Sequence, residues 1–322
     1  MKTASNFMDL KDRRILYELD KNARISYAQL GRKIGLSTEV VHYRVNKLQE
    51  EGILKQFQTV VNYSKLGLIH FKICLSFNGI SLKNEEEIYS EINTISQVVW
   101  IAKCQGDWDC MISCTVNNLE ELDRIKDKII AISNQYISKK SISVSSNIWS
   151  FPRKYLIKEK YKEYYKTNNK ESRIDDVDLK LLRVLSKDAR KPIIDISQEL
   201  GLNVKTITSR IKKLLKSGII NNFRLVVDYE KMGIHFYKTM FYLKNPDEIR
   251  TQELLNYLNN NSNLVHNLKV IGDWDLEPEF EFENTEDFYK TIQDLMNQFS
   301  DVIRKVSVIN ILKEYKYTYF YK

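Results

Sequence analysis

Residues 35–53 read GLSTEVVHYRVNKLQEEGI and residues 201–219 read GLNVKTITSRIKKLLKSGI, the same phrase 166 positions further on. Each opens on a Gly-Leu turn and continues with a capping residue, Ser37 or Asn203. A side-chain oxygen at that position accepts an otherwise orphaned N–H of the first helical turn. Apolar residues then recur at helical spacing, as Val41, Val45 and Leu48 and as Ile207, Ile211 and Leu214. Gly52 stops the first of these helices, where a positive φ is needed. Upstream, Tyr27, Leu30 and Ile34 follow the cap Ser26, and Ile15, Leu16 and Leu19 form one more stripe. Pro192 opens the corresponding second helix of copy two. Three short helices, with a Gly-containing turn before the third, make a helix-turn-helix layout.

Working outward, the offset of 166 persists. Ala23-Arg24 lands on Ala189-Arg190, Tyr63 on Tyr229, and Gly106-Asp107-Trp108-Asp109 on Gly272-Asp273-Trp274-Asp275. The chain is two copies of one unit. After Gly67 an alternating strand, Phe71–Phe77, precedes a polar helix around 85–95, a hairpin about Gly106-Asp107-Trp108, an amphipathic helix at 119–136 and a strand at 141–149. That order, β-α-β-β-α-β, is the ferredoxin-like sandwich, with helices on one sheet face and the other face open. The expected fold class is therefore α+β: a tandem duplication of a winged helix-turn-helix domain followed by a ferredoxin-like domain. The expected domains are 1–56 and 174–222 for the helix-turn-helix units and 57–156 and 223–322 for the ferredoxin-like units, with a charged Lys- and Tyr-rich linker at 157–173. A ribbon pairing 57–61 with 223–227 would join the copies, and the linker makes that pairing intramolecular.

Composition bounds the function without naming it. The chain has 322 residues, 43% hydrophobic and 29% charged, and a net charge of +8. These values fit a globular protein and exclude wholesale disorder. No apolar run reaches membrane length, and the N-terminus lacks an apolar signal region. Four cysteines without regular spacing make no disulfide framework, so a cytoplasmic protein is expected. Net +8 permits an acidic partner such as nucleic acid but does not require one.

The third helix of each unit supplies the chemistry. Its apolar stripe faces inward and its outer face is free to enter the DNA major groove. In copy one the candidate DNA-binding residues are Ser37, Thr38, Glu39, His42, Tyr43, Arg44, Asn46 and Lys47; in copy two they are Asn203, Lys205, Thr206, Thr208, Ser209, Arg210, Lys212, Lys213 and Lys216. Those near the helix start would meet base edges, and basic residues further along would meet phosphates. Residues 203–216 carry five basic residues and no acid, whereas 37–51 carry Glu39, Glu50 and Glu51 against two basic residues. A three-helix packing module with a solvated polar face is the bland alternative.

On these motifs the sequence resembles the Lrp/AsnC (feast/famine) family of transcription regulators, duplicated within one chain. The matching stretches include Asp12-Arg13-Arg14-Ile15-Leu16, Ala23-Arg24-Ile25-Ser26, Arg44-Val45-Asn46-Lys47-Leu48, Glu51-Gly52-Ile53 and the Gly-Asp-Trp-Asp turns. The resemblance implies a RAM-type ferredoxin-like domain and double-stranded DNA as partner. It also implies self-association of the pseudo-dimeric chains, no enzyme activity and no cofactor. It further implies an amino acid or other small-molecule effector near Gly106, Asp107 and Asp109 and near Gly272, Asp273 and Asp275. Tight hairpins with Gly and Asp as turn formers explain the same residues. Copy two departs from the family pattern where Lys191-Pro192 replaces Ile25-Ser26. Siroheme decarboxylases share the two-part architecture, and His266-Asn267 resembles them, which leaves an enzyme as the rival reading and a DNA-free effector sensor as a third.

A metal site is not expected. Strand parity puts Cys74 on the face of Lys72 and Ser76, and Cys110 and Cys114 on the opposite, helix-covered face. The strand Leu276–Glu283 alternates Glu277, Glu279, Glu281 and Glu283 with Leu276, Pro278, Phe280 and Phe282. Its acids are expected to face the partner sheet and meet Lys72, Lys103, Lys238 and Lys269. An exposed edge strand of solvated acids, which Pro278 favours, is the alternative.

Overall fold

The computed structural model describes residues 8–157, 165–166, 173–244, 247–318 and 320. Asp9 caps α1 (Leu10–Lys21) in a reciprocal capping box with Asp12. Ser26 does the same with Gln29 for α2 (Tyr27–Ile34), and Ser37 caps α3 (Thr38–Glu50). Then follow β1 (Leu54–Val61), β2 (Ile69–Phe77), α4 (Leu82–Asn93), β3 (Val98–Gln105), β4 (Cys110–Val116), α5 (Leu119–Ser133) and β5 (Ile137–Ser150). The expected linker at 157–173 lies outside the described residues except for its ends and β6 (Tyr165–Lys166), which pairs with β5. Copy two runs α6 (Asp176–Lys187), α7 (Ile193–Leu200), α8 (Val204–Lys216), β7 (Ile220–Val227), α9 (Tyr229–Met232), β8 (His235–Leu243), α10 (Glu248–Asn260), β9 (Leu264–Ile271), β10 (Leu276–Phe282), α11 (Thr285–Gln298) and β11 (Ile303–Tyr317). Among the described residues no helix is long and apolar enough to cross a membrane.

The expected ribbon is present. β1 pairs antiparallel with β7, Phe57 opposite Leu225 and Thr59 opposite Phe223. It spans residues on both sides of 56/57, so the junction between the two expected domains is itself a shared structure. α1 packs on β7 and α6 on β1, each helix-turn-helix unit thus leaning on the other copy's strand. One apolar cluster runs through both units, from Leu16 and Val41 to Leu182 and Ile207.

In each ferredoxin-like unit the strand order is that of the split βαβ fold, β5-β2-β4-β3 and β11-β8-β10-β9. The two sheets also join at their edges, β3 to β11 and β5 to β9. Eight strands therefore close into a ring with no free edge, which removes the usual hazard of unpaired strand groups. β5 is longer than its sequence pattern at 141–149, because it pairs with β2 of its own copy and β9 of the other. The helix-covered faces form separate cores, around Phe71 and Ile112 in copy one and Phe241 and Phe280 in copy two. The facing inner sides bring Trp100, Trp108, Met111, Met240 and Trp274 together.

Candidate DNA interface and inter-copy core

α3 and α8 present their polar faces outward. Glu39, His42 and Lys47 are exposed, Tyr43 is 67% exposed, and Asn46 is half-buried with its amide 3.4 Å from His42 Nδ1. Ser37 Oγ accepts from Val40 N at 3.3 Å and Asn203 Oδ1 from Thr206 N at 2.8 Å, so both capping residues are spent on the backbone. On α8, Lys205, Ser209, Lys212, Lys213 and Lys216 are exposed, and Thr208 Oγ1 donates back to Val204 O.

Arg44 and Arg210 behave otherwise. Arg44 Nη1 lies 2.8 Å from both Asp9 and Asp12, and Arg210 Nη1 lies 2.7 Å from Asp175 and 2.9 Å from Asp178. Each guanidinium pins the third helix to the capped start of the first. The sequence reading assigned them to phosphate; the geometry turns them to the capping carboxylates, which hold both arginines more firmly charged.

The two units are tied reciprocally. Arg24 Nη1 donates to Ala189 O at 2.6 Å and Lys191 O at 3.2 Å. Arg190 Nη1 donates to Ala23 O and to Ile25 O at 3.1 Å, with its guanidinium 4.5 Å from the Tyr27 ring. Ala23 N donates to Phe223 O and Ala189 N to Phe57 O. These ties set α3 and α8 in one body. The repeated Ala-Arg pair was the only sequence signal for them.

The Gly-Asp-Trp-Asp turns also cross between copies. Ser307 Oγ donates to Asp107 Oδ2 at 2.6 Å, and Ser141 Oγ to Asp273 Oδ2 at 2.5 Å. Asp109 accepts from Phe77 N and Asp275 from Leu243 N. A Cβ at Gly106 would stand 2.6 Å from Val308 O, and one at Gly272 would stand 2.8 Å from Ser143 Cβ. Glycine is needed here for close approach to the other copy. All six expected effector residues thus serve turn geometry or inter-copy contact.

Between the sheets the acidic strand makes an ionic core. Lys72 and Lys238 each contact Glu277 and Glu279, and all four residues are buried. Burial opposes the charge on Glu279, yet Lys238 and Lys72 hold its carboxyl well below the usual range. Leu276, Phe280 and Phe282 pack under the helices. Two of the expected lysines are elsewhere: Lys103 pairs with Glu85 of α4 at 2.6 Å, and Lys269 is exposed. Lys103 sits opposite Cys110, whose side chain is in the helix-covered core, so pairing register sends it to that side. A second group continues the network. Asp20 lies 2.8 Å from Arg153 and 2.7 Å from Arg224, while Arg153 Nε and Tyr155 Oη donate to Glu281. His266 stands between the groups, Nδ1 3.2 Å from Glu279 and Nε2 3.4 Å from Arg224. Cys74 and Cys104 lie in this inner core, and Cys110 and Cys114 under the helices; all four are free and buried.

Above this core and below the ribbon is a small cavity of about 100 Å³. It is lined by ribbon residues Val60, Val61 and Asn221, by His70, Lys72, Lys238, His266 and Glu279, and by Tyr63, Trp100, Tyr229, Glu314 and Tyr317. Trp100 Nε1 donates to Glu314 Oε1 at 2.5 Å, and burial raises the Glu314 carboxyl. Burial also lowers both histidines, His70 to about 3, and leaves them neutral.

Comparison with known proteins identifies the two helical units. The family of winged helix-turn-helix DNA-binding domains matches residues 8–55 and 174–221. An uncharacterized HTH-type transcriptional regulator of Pyrococcus horikoshii is 36% identical over 119 residues, which are 37% of this chain and 79% of its own length. The proline dehydrogenase transcriptional activator of Rhodobacter capsulatus is 27% identical over 145 residues, 43% of this chain and 94% of its own. Among solved structures, the siroheme decarboxylase NirDL superposes with a TM-score of 0.62 over 95% of this chain and 92% of that one, at 12% identity. That likeness is one of fold. The helix-turn-helix units define a DNA-binding transcriptional regulator. The chain belongs to the Lrp/AsnC family, with two family units in tandem.

Proposed function

We propose that the chain is a sequence-specific regulator that reads one composite operator with α3 and α8 together. The carrying observation is the reciprocal Arg24 and Arg190 tie, which sets both recognition helices in one body. Half-site spacing in the operator is then set by the protein, as in two-chain helix-turn-helix dimers. Glu39, Tyr43 and Asn46 would read bases in one half-site and Ser209 in the other, with Lys205 at a phosphate. Lys47, Lys212, Lys213 and Lys216 would meet phosphates. The unlike helices favour a non-palindromic site. A small molecule would modulate binding, pseudo-dimeric chains would assemble further, and the protein would act in the cytoplasm without catalysing a reaction. Selecting genomic fragments on the purified chain tests this: one enriched, asymmetric motif is expected, and fragments without a shared motif would refute it.

A decarboxylase reading draws on the shared two-copy fold and on His266 at the cavity wall. A perturbed absorbance spectrum on adding siroheme, together with decarboxylation, would favour it over the regulator.

A further inference from the structure

Three side chains on the outer side of copy one form a linked set that copy two lacks. His42 and Asn46 are one helical turn apart on α3, and the Asn46 amide nitrogen lies 3.4 Å from His42 Nδ1. The His42 ring stands edge-on to Tyr27 of α2, with centroids 5.4 Å apart and planes at 74°. Such edge-to-face pairs favour one ring orientation. Tyr27 is covered in turn by Arg190 of copy two, whose guanidinium lies 4.5 Å from the Tyr27 ring. At the matching positions of copy two stand Ile193, Thr208 and Lys212. There Thr208 Oγ1 donates to Val204 O and not to a neighbour on the outer face.

The direction of the hydrogen bond fixes the amide. An amide nitrogen only donates, so Nδ1 accepts and the ring carries its proton on Nε2. Turning the amide over would set Oδ1 against the Nδ1 lone pair, acceptor against acceptor. Asn46 is therefore left with its second N–H and its Oδ1, in a fixed order, at the groove it lines with Tyr27, Tyr43 and Glu50. One donor beside one acceptor matches the major-groove edge of adenine, whose N7 accepts and whose N6 donates. Guanine presents two acceptors, O6 and N7, and would set one of them against Oδ1.

We propose that His42 is a positioning residue for DNA reading, which locks the Asn46 amide in the orientation that selects adenine, in the half-site met by α3 alone. The inference rests on the regulator reading and names the base behind one of its contacts. Copy two places Lys212 where Asn46 stands, a group with donors and no acceptor, so its half-site carries no matching demand for adenine. His42 is exposed, and the apolar stripe of α3 is made by Val41, Val45 and Leu48, so replacing His42 leaves the core of the helical unit intact.

The first measurement needs no DNA. In the full-length chain with isotope-labelled histidine, nitrogen NMR should show the His42 ring in its Nε2–H form, and Asn46→Ala should shift its Nδ1 signal; His42→Gln identifies that signal. The second compares the sites selected from random DNA by the parent and by Asn46→Ala, His42→Leu and His42→Gln. The position whose preference is lost in Asn46→Ala is the one it reads, and the parent should favour adenine there by about tenfold or more. His42→Leu should cut that preference by about fivefold, the effect of losing one hydrogen bond, with the melting curve and the salt slope unchanged. His42→Gln should restore it, since a glutamine oxygen accepts from an asparagine amide one turn on. An Nδ1–H ring, another base at that position, an unchanged preference in His42→Leu, or equal behaviour of the Leu and Gln variants would each overturn the proposal and leave the regulator reading standing. A parent that selects no sequence would overturn both.

Discussion

Asp20 of α1 lies 2.7 Å from Arg224 Nη2 of β7, a bond that fastens the first helix of copy one to the ribbon strand of copy two. At the matching positions of the other half stand Ser186 and Gln58. Ser186 Oγ and Gln58 Oε1 are buried there without a hydrogen-bond partner. One side of the pseudo-dimer is latched by charge and the other is not. Asp20→Asn, which takes the carboxylate from Arg224 and leaves Arg153 with Glu281 alone, should cost about 3–5 kcal/mol. Ser186→Ala should change stability by less than about 1 kcal/mol, since the lost hydroxyl bonds nothing. Urea denaturation of the two variants measures the contrast; equal losses would mean that the halves are equivalent.

Acid should weaken the fold in two stages. His70 is held neutral with a value near 3, below the ordinary histidine range. Its contribution is complete above the unfolded value near 6.5 and is lost as pH falls from there toward 3. Glu279 and Asp20 are depressed by their cationic partners, so their contribution is present above about pH 4–4.5 and lost below it. His70→Phe, which copies Phe236 of the other half, should flatten the stability slope between about pH 6.5 and 4.5 and leave the more acidic loss in place. An unchanged slope there would remove His70 from the account.

Salt dependence should separate the two recognition helices. Each phosphate contact removed lowers the slope of log affinity against log salt by roughly 0.9. The combined change of Lys205, Lys212 and Lys216 to Ala should therefore flatten it by roughly 2–3. Tyr43→Ala or Asn46→Ala should shift the preferred sequence with little change of slope. Identical slopes for the triple variant and the parent would contradict this division of labour.

Arg44→Ala should behave as a stability variant. Its guanidinium lies between Asp9 and Asp12, so the loss should be about 1 kcal/mol, set by a half-exposed ion pair at a helix cap. The salt slope of DNA binding should stay the same. A slope reduced by about one would return Arg44 to the phosphate contacts.

Much of the fold was legible because its signals are local or repeat. Ser26, Ser37 and Asn203 as caps, and the ribbon pairing of 57–61 with 223–227, follow from residue type and from the 166-residue offset. The burial of Glu277 and Glu279 against lysines followed from alternation within one strand. The side taken by Lys103 did not, because it depends on register with β4, set where a pairing irregularity falls between Val98 and Trp100. The structural use of Arg44 was hidden too, since Asp9 and Asp12 are brought to it only by packing of α3 on α1. The cavity was out of reach for the same reason. Its walls come from strands of both copies, and Glu314 is one acid in a Lys- and Tyr-rich strand until the ring closes.

Closure of the ring through a single chain also changes what one substitution does. In a dimer of identical chains, a new acid at the axis arrives in duplicate, facing its own image across a few ångströms of low dielectric. Here Glu279 arose opposite Ser113, and Glu281 opposite Thr115. Each alteration touches one side only: Arg153 answers Glu281, and Lys238 with Lys72 answers Glu279. The joined chain is thus free to become handed inside, as its unlike recognition helices already are outside, while its backbone outline stays two-fold.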